Sequence, residues 1–513
     1  MLWIDALTEN FKNHKGEIWV DDMATPSGVP HVGTFRGAII HDVAAKALEK
    51  EGHRVKYTFF SNDFDPMDGM PGYLDDKIYS VYMGKPFFTI PAPEGKGNLG
   101  DYFISGLYKM MTGLGCSFIQ IKDSEEYKKG TYDKIIKRAL DSSEQIRKIY
   151  KEVAGSEKPS DWIPFQPICE KCGKIGTTRA YNWDGEEVSY VCEESMVDWA
   201  KGCGHNGKVS PFGGTGKLPW KVEWPAKFAA LGINVEGEGK DHSSAGGSRD
   251  LANKLCEKIF KVNPPYDLPY EHIIFKGKKM SKSKGVGISA EEVYNSLPPE
   301  LIRFIMIRNI NRVIDLDLDG MAIASIYDEY DRAHKAYLGE IDFPDLAKIY
   351  ELSQISDNFN NGYRMKFTKV AHAIQIPNVD INKMAEEEKG SKLTEVELED
   401  LKKRIKYANI WLEKFAPESF KFSFKKTLPE IELSETQKKI IAELKNIFSS
   451  KKEWSGENLQ QEIFNIKDKL SVQPKEIFST IYLIFIGKDS GPQAGFLLAS
   501  LDYDFVLNRL DLK

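Results

Sequence analysis

The sequence predicts a parallel α/β domain carrying a cysteine-bearing insertion, followed by an all-helical C-terminal part. Three observations predict it. A strand–loop–helix–strand pattern over 18–60 returns as strand, loop and helix over 233–259. Cys169, Cys172, Cys192 and Cys203 cluster between the two occurrences. Beyond residue 345 Gly and Pro thin out, and apolar residues keep a helical texture as far as 470.

At 513 residues the chain is too long for one core. Hydrophobic residues at 41% and charged residues at 28% describe a globular protein. The net charge of −6 provides no global basic field, so a nucleic-acid partner would have to be met by a local patch. Six cysteines in such a length do not form a disulfide scaffold. No stretch approaches the roughly 18 apolar residues of a membrane helix. Met1–Leu7 lacks the basic start and cleavage pattern of a targeting segment. The expectation is a cytoplasmic monomer without membrane association.

Ile18-Trp19-Val20 reads as a buried strand, and Val32, Phe35, Ile39, Ile40, Val43, Ala47 and Leu48 mark one face of a helix. Between them lies Thr25-Pro26-Ser27-Gly28-Val29-Pro30-His31-Val32-Gly33-Thr34. A helix N-terminus attracts phosphate. Gly28 and Gly33 let backbone approach a ligand, and His31 adds a donor. An ordinary strand–helix turn would share the Pro and Gly. Arg54–Phe60 reads as a second strand, parallel to the first across the helical crossover. Asp63 and Asp65 leave its end towards the same crevice, to meet a cationic substrate group or to serve as turn residues. Residues 70–100, rich in Gly and Pro, read as a loop insertion over that crevice, and 101–155 return to helical spacing.

Cys169-x-x-Cys172 on a tight turn, Cys192, and either Cys203 or His205 offer four ligands suited to a structural zinc, on a hairpin like that of a zinc ribbon. Cys116 and Cys256 lie in apolar or helical surroundings and read as core. Ile233–His242 reads as a strand ending in a Gly-rich loop, followed by a helix through Leu251, Leu255 and Ile259. Tyr270–Phe275 reads as another strand. Lys278-Lys279-Met280-Ser281-Lys282-Ser283-Lys284 is a cationic loop able to close over phosphates. Helices follow from about 298. Lys402-Lys403-Arg404-Ile405-Lys406 and Lys425-Lys426 lie among Trp411, Phe415, Phe420 and Phe422, a mixture that base stacking and phosphate contacts use. A solvated helix face over a core would read the same way.

Pro30-His31-Val32-Gly33-Thr34 and Lys279-Met280-Ser281-Lys282-Ser283, in that order, resemble the two signatures of class I aminoacyl-tRNA synthetases. Thr34 stands where that family usually has a second His, as in its lysine enzymes. Thr25–Gly28, Trp220–Pro225, Gly239–His242, Ile326–Asp331 and the Ser490–Leu510 ending also resemble the class I lysyl-tRNA synthetases. Met23 departs from the small Gly of several relatives. The resemblance implies a Rossmann-like class I synthetase catalytic domain with a zinc-ribbon-like insertion, and an α-helical anticodon-binding domain. Its divisions would be 1–160, a zinc-binding 161–215, 216–297 with the lysine-rich loop, a stem-contacting 298–345 and an anticodon-reading 346–513.

The activity implied is ligation of L-lysine to tRNA(Lys) with ATP and Mg2+. By the same resemblance His31, Gly33, Thr34, Asp241, Lys279, Ser281 and Lys282 would serve ATP. Thr25, Trp220, His242 and Tyr270 would line the amino acid, and Glu223 or else Asp63 would face its side-chain ammonium. A glutamyl-type ligase would carry Lys-Leu-Ser-Lys-Arg where Met280 and Ser283 stand. A synthetase-like RNA-binding protein without activity would not need His31, Lys279 and Lys282.

Overall fold

A computed structural model describes residues 2–279 (Lys279 by its backbone alone), 287–377, 379–424, 428 and 431–512. The chain forms two compact units. One comprises Met1–Leu316 with Glu351–Ile355, the other Asp317–Tyr350 with Ser356–Lys513. The division cuts the stretch 298–345, expected as one connector. Its first helix, Pro299–Ile307, lies in the first unit and Ala322–Tyr337 in the second.

The first unit is built on a wholly parallel five-stranded sheet. Its strands are β1 (Glu17–Ala24), β2 (Arg54–Ser61), β3 (Ile119–Lys122), β4 (Val235–Glu236) and β5 (Tyr266–Asp267), in the order β5-β4-β1-β2-β3. The order reverses at β1, which pairs with β2 on one side and β4 on the other. The crevice beyond the strand ends at such a reversal is where sheets of this class hold ligands.

Helix α1 (Gly33–Lys50) buries the expected face, Phe35, Ile39, Ile40, Val43 and Leu48, at most 1% exposed. β3 falls inside a stretch that reads as helical. It is an edge strand with Ile119 half exposed, so it lacks the apolar run of a buried parallel strand. The strand expected over 233–242 is only β4. The one expected over 270–275 shortens to Ile273–Phe275, which pairs with Lys278–Lys279 and Ile314–Asp315 outside the main sheet. Helix α3 (Ser248–Leu255) follows helix α2 (Trp220–Leu231) and runs into one π turn, Cys256–Phe260. Cys116 and Cys256 are buried, as expected.

The inserted module enters through Gln166–Pro167 and leaves through Gly216–Lys217, which pair antiparallel and close its base. Between them, Thr178–Trp183, Val188–Cys192 and Asn206–Val209 form a three-stranded antiparallel sheet.

All described elements of the second unit are helices. Ile440, Leu444, Ile463, Ile477, Ile481, Phe485, Leu497 and Val506 form its C-terminal core. Further up the chain, Tyr327 stacks on Phe367 with centroids 3.8 Å apart. Arg404, expected in a basic patch, is buried there against Asp331 and Asp400. Trp411 is wholly buried, and Phe420 packs against it and stacks on His372. These aromatics are core. Lys402, Lys403 and Lys406 remain on the surface, and Lys425-Lys426 lie outside the described residues.

Candidate active site

The loop between β1 and α1 is shaped by two glycines. Gly28 sits at φ +152°, and a Cβ there would meet the Tyr73 hydroxyl at 2.7 Å. That hydroxyl accepts from the Val29 amide at 2.7 Å, tying the loop to the 70–73 segment. The Gly33 amide donates to His31 Nδ1 at 3.0 Å. A neutral His31 ring therefore carries its proton on Nε2.

A cavity of about 1320 Å3 opens at the sheet's reversal point. His31, Gly33, Thr34, Asp241, His242 and Tyr270, all expected at the site, line it together with Asp22, Met23 and Met70–Tyr73. The loop at 70–73 thus borders the crevice as expected. Asp241 meets His272 Nε2 at 3.0 Å. His242 packs edge-on to Trp220 and Trp224, 5.8 and 6.1 Å between centroids. Burial holds the His242 pKa below its ordinary value despite Asp241. Burial likewise raises Tyr270 and Asp22, the latter opposed by His41 at 3.6 Å.

Residues 288–290, which follow the lysine-rich stretch, lie at the same place. Ser289 bridges His31, the Ala290 amide donates to Pro30 O at 3.3 Å, and Ile288 and Ser289 line the cavity. Lys279 pairs through its backbone with Ile274. Ser281 and Lys282 lie outside the described residues.

Residues 1–356 match the family described as tRNA synthetases class I (K), and residues 372–512 match the one described as Anticodon binding domain. The lysine–tRNA ligase of Thermoplasma acidophilum is 34% identical over 99% of this chain and 98% of its own length. That of Methanosphaera stadtmanae is 32% identical over 100% and 99%. The chain belongs to the class I lysine tRNA synthetases. Among solved structures, a glutamate tRNA ligase from Elizabethkingia meningosepticum aligns over 97% of this chain and 99% of its own, with 13% identity and a TM-score of 0.43.

This class I synthetase departs from expectation at both carboxylates assigned to the substrate ammonium. Glu223 is 4% exposed, accepts from the Tyr127 hydroxyl at 2.6 Å and pairs with Lys217 at 2.7 Å. Asp63 is 1% exposed and accepts from the Ser124 amide and hydroxyl at 2.8 and 2.6 Å. Both are held by protein donors and stand outside the cavity lining. Thr25, between two cavity residues, turns its hydroxyl to Asp65 at 2.6 Å. Trp220 is 47% exposed and reaches the cavity through His242.

Four thiols, Cys169, Cys172, Cys192 and Cys203, converge within 4.8 Å of one another. His205 Nε2 faces Glu170 at 3.9 Å instead. The donor set fits a tetrahedral thiolate site for zinc.

Sequence reading missed Arg36. Its buried guanidinium donates to the carbonyls of Glu271 (2.5 Å), Asn309 (2.8 Å) and Arg312 (3.0 Å), among others, and so staples the start of α1 to the segments behind the cavity. The available signal was a charge next to Phe35 in an apolar helical stripe.

Proposed function

We propose that this protein is a lysine–tRNA ligase. The lysine carboxylate attacks the α-phosphate of ATP, giving lysyl-adenylate and pyrophosphate. The aminoacyl group then passes to the 3′ end of tRNA(Lys), with release of AMP. No protein nucleophile is needed, only positioning and stabilisation of charge.

His31 Nε2 serves as donor to the phosphates, with Thr34 as a second, neutral donor at the helix start. Gly33 gives the nucleoside close backbone access, and Asp241 addresses the ribose. Lys279 and Lys282 hold the β- and γ-phosphates and the departing pyrophosphate, with Ser281 supporting their loop. Tyr270, His242 and Trp220 frame the amino acid, and Thr25 braces its loop through Asp65. Mg2+ enters with ATP. The four cysteines hold a structural zinc, and the helical second unit reads the anticodon.

The observation that carries this reading is the placing of both flanks of the second signature against the first-signature side of the sheet. Ser289, six residues past the second signature, bridges His31 on a cavity at the sheet's reversal point. Amino-acid-dependent ATP–pyrophosphate exchange, run with and without tRNA, tests it. Exchange with lysine alone is expected. Exchange with glutamate alone, or with no amino acid even when tRNA is present, overturns it.

A further inference from the structure

Asp21 and Glu236 are register partners on β1 and β4, side by side where the sheet order reverses. They are 0% and 2% exposed. Each has one oxygen satisfied. Thr58 Oγ1 donates to Asp21 Oδ1, and Trp224 Nε1 donates to Glu236 Oε1 at 2.5 Å. The other oxygens, Asp21 Oδ2 and Glu236 Oε2, are buried without a hydrogen-bond partner.

Each surrounding acid has a cation or a donor of its own, although Asp123 Oδ1 and Asp267 Oδ1, the latter on Glu236's other register partner and 3.7 Å from Arg249, also lack a hydrogen-bond partner. Lys217 serves Asp65 and Glu223, Lys227 serves Asp123 at 2.6 Å, and Arg249 serves Glu238 at 3.0 Å. His41 faces Asp22, and Ser124 satisfies Asp63. Among the described residues no cationic side chain lies within ion-pair distance of Asp21 or Glu236. Lys227 and Arg249 act on them only at longer range. Two like charges directly across neighbouring strands are destabilising, and a buried carboxylate without a cation is more so. Burial pushes both carboxyls well above their ordinary range, and Asp21 adds to the shift of Glu236.

We infer that Asp21 and Glu236 together receive the side-chain ammonium of the amino-acid substrate and so set its specificity. The inference rests on the reading of the adjoining cavity as a lysine site. An ammonium brings several donors and one positive charge, matching two orphan oxygens and an unbalanced pair. A hard metal ion would demand more oxygen ligands than the two on offer. Met23, two residues beyond Asp21 on the same face of β1, lines the cavity and packs on the Trp224 cluster. The pair lies behind the cavity wall, so the stem would have to displace Met23 from the Trp224 ring, two apolar groups suited to a four-carbon chain. Trp224 in turn packs on the cavity residue His242. Met is adaptable enough to yield as the stem enters.

Asp21→Asn and Glu236→Gln remove the charges and keep an acceptor for Thr58 and Trp224. In tRNA-supported pyrophosphate exchange each is expected to raise the lysine KM by on the order of 100-fold while the ATP KM stays within about twofold, since an ammonium that loses its charged partner forfeits a large part of its binding. The preference for lysine over norleucine, which lacks the ammonium, falls with it. An unchanged lysine KM, or an equal loss for lysine and ATP, overturns the assignment while leaving the ligase reading intact. Failure of the unaltered protein to exchange with lysine overturns both. A structure of the unaltered full chain with bound lysine does not depend on how the variants fold. Its ammonium nitrogen within hydrogen-bond distance of Asp21 Oδ2 and Glu236 Oε2 upholds the assignment, and its placement elsewhere overturns it.

Discussion

The Gly33 amide holds His31 Nδ1 at 3.0 Å, and a Cβ on residue 33 would stand 2.7 Å from the imidazole Cε1. The contact is side chain to side chain, since Gly33 already has helical backbone at the start of α1. Gly33→Ala is therefore expected to displace the His31 ring rather than the helix. The ATP KM should rise roughly 10- to 100-fold, as misplacement of a positioning group by about 1 Å costs that much. The melting temperature should move by no more than a few degrees. Pyrophosphate exchange at varied ATP, alongside thermal melting, checks both, and a collapse in stability with unchanged ATP KM would refute the account.

Lys217 is 2% exposed in its side chain and bridges Asp65 and Glu223. Lys217→Met leaves the buried Glu223 and the partly buried Asp65 without their cation, a loss of about 3 kcal/mol. Burial opposes both ionised forms, but the pairing outweighs it. It raises the Lys217 pKa above 10.5 and lowers that of Asp65 below 3.8. A raised lysine pKa stabilises fully below 10.5 and is lost as pH climbs through the folded value. A depressed carboxylate pKa stabilises fully above 3.8 and is lost as pH falls through the folded value. The deficit of the variant should be widest between about pH 5 and 10, as measured by urea unfolding across that range.

Cys203, with its sulfur in the four-thiol cluster, and His205, turned to Glu170, make opposite forecasts for metal content. Cys203→Ser should lose most of the bound zinc, and His205→Ala should keep about one ion per chain. Elemental analysis of the purified variants, with thiol titration before and after a chelator, distinguishes them. Equal retention in both would exclude Cys203 as the fourth ligand.

His372 stacks on Phe420, centroids 4.1 Å apart and planes 7° from parallel, and burial lowers its pKa from 6.5 to about 4. The folded form holds it neutral, so the unfolded chain binds the extra proton between those values. Its contribution is full above pH 6.5 and is lost as pH falls to 4, worth about 3 kcal/mol in all. His372→Phe keeps the stacked ring and should flatten that part of the pH dependence. Urea titrations at pH 7 and pH 4.5 on both proteins measure the difference, and parallel pH profiles would argue against it.

Much of the fold is legible because it is local. The β1–loop–α1 unit follows from an apolar run, two glycines and a 3.6-residue stripe, each readable within a dozen residues. The helical second unit is legible in the same way. β3 is not, because an edge strand with mixed polarity has no periodic signature. Arg404 and Trp411 show the opposite error. A basic–aromatic texture reads as a surface for RNA, yet Arg404 finds Asp331, some seventy residues earlier in the chain, and becomes core.

The sequence by itself determined the family through the order and spacing of its two loops, His31-Val32-Gly33-Thr34 and Lys279-Met280-Ser281-Lys282. It also placed three of the four thiols, because ligands on a tight turn and a hairpin are close in sequence. Only the tertiary structure separates Cys203 from His205, the first with its sulfur among the other three thiols and the second with its ring turned to Glu170. Only the tertiary structure shows Glu223 held by Tyr127 and Lys217 and Asp63 held by Ser124, and only there do Asp21 and Glu236 become neighbours. Which carboxylate finds a donor depends on pairing between segments from about sixty to over two hundred residues apart, and charge balance in a buried site is not a local property of the chain.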